Sequence, residues 1–101
     1  IASSLKPLGK VTIDQGAKNA LKSNKSLLPA GVIKVSGKFN RGDLVLIIDD
    51  EQNTLARGLV TYSFADAQLI IGHKSSEIEK ILGYRGRNEL IHKDDLVMLD
   101  N

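Results

Sequence analysis

The chain of 101 residues contains no cysteine. That excludes disulfide stapling, thiol catalysis and cysteine-ligated zinc, and it suits a reducing compartment, so a cytoplasmic location is expected. Histidine is scarce as well: His73 and His92 are the only two. Any metal site would have to lean on carboxylates, and neither a metal site nor a cofactor is expected within this segment. Tryptophan is missing, and Phe39, Phe64, Tyr62 and Tyr84 make up the whole aromatic complement. A base-stacking platform for nucleic acid would therefore be thin. No apolar run approaches the ~18–20 residues needed to span a bilayer, and no membrane partner is expected. The opening Ile-Ala-Ser-Ser-Leu-Lys has neither an initiator Met nor a signal peptide's apolar stretch. It reads as the start of a piece cut from a larger protein, with residues 1–8 as a linker remnant and 9–101 as one domain.

What is present is ordinary for a globular domain: 42% hydrophobic and 26% charged residues. A chain of this length buries roughly 60–65% of its unfolded surface, enough for one core. Net charge is only +2, but its distribution is uneven. Residues 1–41 carry eight basic side chains against the single acid Asp14, whereas residues 42–101 carry six basic and eleven acidic ones. Such asymmetry makes either a lysine-decorated solvated surface or a positive face for phosphate backbones.

Hydrophobic spacing organises the chain into short elements. Lys10–Ile13 alternates polar and apolar and reads as a strand. Asp14 is placed to cap a helix whose Ala17, Ala20 and Leu21 share a face, with Lys18 and Lys22 on the wet side and Asn24 as its stop. Ser26–Gly31 forms a turn, and Val32–Ser36 the next strand. Leu44–Ile48 is a continuous apolar run expected to be buried on both faces. The polar loop Asp49–Asn53 leads to a strand over Thr54–Tyr62, with Gly58 marking a bulge or a close backbone approach. Ser63-x-x-Asp66 opens a short helix. Ser75 or Ser76 caps another that ends at Gly83, and strands over Glu89–Ile91 and Leu96–Leu99 close the chain. Six short strands with two or three short helices indicate a mixed α/β, mainly β fold: a small closed or nearly closed pseudobarrel rather than a doubly wound sheet.

Catalytic constellations are absent from this pattern. Asp49, Asp50 and Glu51 read as a solvated loop, and His92-Lys93-Asp94-Asp95 as a capping turn. His73, after the helix-ending Gly72, complements a helix C-terminus. Neither phosphate-loop nor dinucleotide fingerprint occurs, and Gly83-Tyr84-Arg85-Gly86-Arg87 looks like a phosphate-binding loop only superficially, its glycines reading as turn residues. Arg41-Gly42-Asp43 and the sequon Asn24-Lys25-Ser26 match adhesion and glycosylation motifs by coincidence. The segment by itself is not expected to be an enzyme, and no catalytic residue is assigned. The candidate binding set is Lys18, Lys22 and Lys25 with the backbone near Gly31, lysines and a glycine turn suited to phosphate groups.

Several blocks in order carry a resemblance. Ser26-Leu27-Leu28-Pro29-Ala30-Gly31-Val32, after a strand and a helix, resembles the signature of the PUA domain, a small pseudobarrel found in RNA-modifying enzymes. Gly9–Ala17, Gly37–Asp43, Ala56–Ser63 and Ile91–Val97 are similar to the branch at the C-terminus of the bacterial glutamate 5-kinase family, and the likeness runs from about Gly9 to Leu99. Lys93 stands where that branch has Arg, keeping the charge but losing the bidentate fork. The resemblance implies an accessory domain of a kinase that phosphorylates L-glutamate with ATP and Mg²⁺, those cofactors belonging to an absent amino-acid-kinase domain. It implies the kinase domain, and other subunits, as partners in regulation or assembly. The wider PUA family implies structured RNA as the alternative partner.

Overall fold

A computed structural model describes residues 6–99. Five strands form one sheet in the order β2-β1-β3-β4-β5: β1 Gly9–Ile13, β2 Val32–Gly37, β3 Leu44–Ile48, β4 Thr54–Leu59 and β5 Leu96–Met98. β1 lies antiparallel to β2 and parallel to β3, while β3, β4 and β5 are successively antiparallel. The apolar run Leu44–Ile48 becomes the central strand, where Val45 and Ile47 are wholly buried and only Leu46 is half-exposed. Ser3 and Ser4 of the expected linker lie outside the described residues. Leu8 is already fastened to the sheet margin, its amide donating to the Leu44 carbonyl and its carbonyl accepting from Lys38.

Three helices pack around the sheet: α1 Gln15–Lys22, α2 Phe64–Ile70 and α3 Ile78–Leu82. Asp14 caps α1 as its position suggests, its Oδ1 accepting from the Ala17 amide at 2.8 Å. Leu21 buries the inner face, and Asn24, at φ +61°, turns the chain out of the helix. Ser63 caps α2 by accepting from the Asp66 amide at 3.3 Å. Phe64 meets Phe39 edge-to-face, with centroids 5.7 Å apart, which joins α2 to the loop after β2.

Three expectations change in the fold, and one left open is decided. The strand expected over Thr54–Tyr62 stops at Leu59, because Val60 turns away to exchange hydrogen bonds with Gly42 and Asp43. Gly58 marks a close approach and not a bulge: a Cβ there would lie 2.7 Å from Ile91 and 2.9 Å from the Asp95 carbonyl. The irregular step of the ladder falls instead between Ile47 and Ile48. Neither Ser75 nor Ser76 caps α3. Ser75 Oγ donates to the Asn88 carbonyl, and Lys74 to Glu77 forms a turn closed by the Glu77 carboxylate on the Lys74 amide. Glu89–Ile91 forms a single antiparallel bridge, Leu27 to Ile91, and no strand ladder.

From Arg87 to Glu89 the chain is held by side chains in place of a neighbouring strand. Three successive carbonyls that a strand would offer to a neighbour accept side-chain hydroxyls instead. Arg87 O takes Tyr62 Oη–H, Asn88 O takes Ser75 Oγ–H at 3.0 Å, and Glu89 O takes Thr61 Oγ1–H at 2.7 Å. The segment from Gly83 to Leu90 is thus irregular yet pinned, with Leu90 and Ile91 wholly buried at its end.

Candidate functional site

The lysines of α1 sit on an eight-residue helix, and the turn after it folds back onto that helix. The Asp14 amide donates to the Gly31 carbonyl at 3.0 Å. A Cβ on Gly31 would come within 2.6 Å of the Ala17 side chain, so only glycine lets the Pro29–Gly31 turn lie this close. Between α1 and the turn runs a groove of about 470 Å³ that Lys25 and Gly31 line with Ala17, Ala20, Leu28 and Glu89. It is largely apolar, and Leu28 remains half-exposed at its edge.

Lys18 and Lys22 do not join that groove. They line a separate recess toward the β3–β4 connection, with Asp49, Asn53, Met98 and Leu99. Lys18 Nζ lies 3.6 Å from Asp49 Oδ2. Asp49 is not the solvated loop acid expected: it is buried at 4% exposure, while Asp50 and Glu51 are exposed as anticipated. Its carboxylate accepts from the amides of Glu51 and Asn53 and from Asn53 Nδ2, at 2.8–3.1 Å. Burial pushes its pKa up, but those hydrogen bonds and the Lys18 charge outweigh burial and hold the carboxyl below its ordinary value. The candidate set is therefore divided: Lys25 and Gly31 share one groove, and Lys18 and Lys22 share another surface on which Lys18 is engaged.

The remaining polar clusters serve local structure. His92 Nδ1 accepts from the Asp94 amide at 3.1 Å and caps a 3-10 turn over Lys93–Asp95, whose first amide donates to Ser26 Oγ. His73 Nδ1 stands 3.8 Å from Glu77 Oε1, and its amide bonds the Ile70 carbonyl at the end of α2. Among the described residues no three His, Asp or Glu side chains are placed to share a metal ion. No helix among them is long and apolar enough to cross a membrane.

A third surface escapes the reading of the sequence. Arg41, from the turn after β2, and Arg85 and Arg87, from the loop after α3, line a cavity of about 530 Å³ with Thr61, Tyr62, Ser63, Asp66, Tyr84 and Gly86. The buried Tyr62 ring forms part of its wall. Tyr84 Oη donates to Asp66 Oδ2 at 2.6 Å, and this bond, reinforced by partial burial and the Asp66 charge, raises the phenol to about 12. The only signal in the sequence was a pair of arginines flanking Gly86, because Arg41 is far removed along the chain.

Known proteins resemble both sequence and fold. The family model of the PUA domain matches residues 9–82. Over 98 residues the chain is 57% identical to the glutamate 5-kinase of Paramagnetospirillum magneticum, covering 97% of this chain and 26% of that protein. The matched part of such kinases is their C-terminal region, and the chain spans about a quarter of the length of these curated relatives. Among solved structures, a PUA domain from Aeropyrum pernix in complex with tartrate aligns with a TM-score of 0.63 and 22% identity, over 84% of this chain and 41% of that one. An H/ACA RNP bound to a substrate RNA containing 2'-deoxyuridine aligns with a TM-score of 0.61 and 22% identity, over 92% of this chain and 24% of that one. The two structural likenesses show the fold.

Proposed function

The chain belongs to the PUA domain family, and on that premise we propose that it serves as the accessory C-terminal domain of a glutamate 5-kinase, non-catalytic alone and acting in regulation or assembly. The observation that carries this reading is 57% identity to such a kinase across nearly the whole chain. In this reading ATP and Mg²⁺ belong to a separate amino-acid-kinase domain that phosphorylates the side-chain carboxylate of L-glutamate in proline synthesis. That domain and other subunits of the kinase are the partners, and the cytoplasm is the location. Removing the domain from the full-length kinase should change its inhibition by proline, its mass by light scattering or its response to glutamate. Constancy in all three would overturn the proposal.

A second reading is RNA binding through α1 and its following turn. It is favoured by the groove that brings Lys25 beside Gly31, and by the likeness of fold to a domain in an RNA-bound RNP. Lys18, Lys22, Lys25 and the backbone near Gly31 would make phosphate contacts, with Lys18 having to leave Asp49 to do so. Replacing the three lysines with Glu should abolish RNA binding and flatten its salt dependence.

A further inference from the structure

The cavity at the far loops carries features that neither reading uses. At about 530 Å³ it falls within the range of small-molecule sites, roughly 300–1,000 Å³. Three arginines line it, and among the described residues none has a carboxylate within ion-pairing distance; the ion pairs found involve Lys18, His73 and His92. The one acid in the lining, Asp66, is engaged by the Tyr84 hydroxyl. Its charge offsets one arginine and leaves the lining positive by two.

The support beneath these arginines is fixed before any ligand arrives. Gly86 rests directly on Tyr62, whose hydroxyl would collide with any added Cβ, so Arg85 and Arg87 are held on either side of that contact. Tyr62, Ser75 and Thr61 each bind one of the next carbonyls of the loop. Arg41 sits in the turn closed by the Asn40 amide on Asp43 Oδ2 and by the Gly42 amide on the Val60 carbonyl. Ser63 Oγ accepts from the Asp66 amide and keeps its own proton free to donate. Arginine forks on a preordered loop suit planar or tetrahedral oxyanions, because little ordering entropy is left to lose on binding.

We propose that the cavity lined by Arg41, Arg85 and Arg87 is a binding site for a small dianion, a phosphate ester or a dicarboxylate. It is distinct from the α1 groove and does not depend on which reading of function holds. Titration calorimetry of the chain at pH 8 with glycerol 3-phosphate and, separately, with succinate at about 20 mM salt tests it, since low salt leaves charge pairing little screened. One probe should bind with 1:1 stoichiometry, and the tighter one identifies phosphate or carboxylate as the ligand chemistry. The double variant Arg85→Gln/Arg87→Gln should lose about tenfold or more in affinity through its lost charge-assisted bonds, while Lys22→Gln changes it less than about twofold. Amide shift mapping on the unaltered chain should move Thr61–Ser63 and Tyr84–Arg87. Absence of binding by both probes, equal weakening by Lys22→Gln, an unaffected double variant, or shifts confined to α1 would each overturn the assignment.

Discussion

The α1 face and the Gly83–Arg87 loop both carry cations, yet they organise them in opposite ways. On α1 and just after it the lysines are close in sequence, but the fold sends Lys18 and Lys22 to one surface and Lys25 to another. Lys18 is further engaged by the buried Asp49. In the loop the backbone is irregular and the arginines come from distant parts of the chain, but they converge on one cavity. A run of like charge in sequence is therefore a poor guide to where charge converges in space. The irregular loop is also the better tethered of the two, because three hydroxyls from two other segments hold the carbonyls of Arg87, Asn88 and Glu89 at its end.

Tyr62→Phe attacks that tether directly. It deletes the hydroxyl that binds the Arg87 carbonyl and should lower stability by about 1–1.5 kcal/mol. Urea melts give the loss, and hydrogen exchange should quicken for amides from Gly83 to Leu90 while those of α1 stay unchanged. Faster exchange in α1 alone would reverse the comparison. Asp14→Ala attacks the other region by removing the α1 cap, and should cost about 1 kcal/mol. Here exchange should quicken in α1, and the loop should keep its protection.

A smaller effect separates Lys18 from its neighbours on α1. Asp49 has a folded pKa below its ordinary value of 3.8, so its stabilisation is complete above that value and is lost as pH falls through the lower folded one. Asp49→Asn should therefore lower the urea midpoint at pH 6, and the gap to the parent should close as pH drops below 3.8. A gap that stays constant down to about pH 2 would show that the charge of Asp49 contributes nothing.

Much of the architecture was legible wherever local spacing and tertiary packing agree. Asp14 before Ala17, Ala20 and Leu21 predicts a capped helix, and the unbroken Leu44–Ile48 run predicts a strand buried at the centre. Ser63 before Asp66 likewise marks the start of α2. Glu89–Ile91 misleads because its apolar content is needed for burial, while its backbone partners are the hydroxyl and amide of Thr61 and the bridge at Leu27. No short-range pattern encodes such partners. Burial of Asp49 was hidden by its exposed neighbours Asp50 and Glu51, and only the fold brings Lys18 against it. The arginine cavity was invisible for the same reason, since Arg41 meets Arg85 and Arg87 through the packing of two separate loops.

We propose that this PUA domain serves a kinase through protein contacts and not through RNA held by its basic half. Fluorescence anisotropy of the chain against a labelled structured RNA, at about 50 and 200 mM salt, tests it most directly. The divided lysines predict no saturable binding in the micromolar range at the lower salt. Micromolar binding that weakens steeply at the higher salt, and disappears when Lys18, Lys22 and Lys25 are changed to Glu, would contradict the account and make RNA the partner of α1.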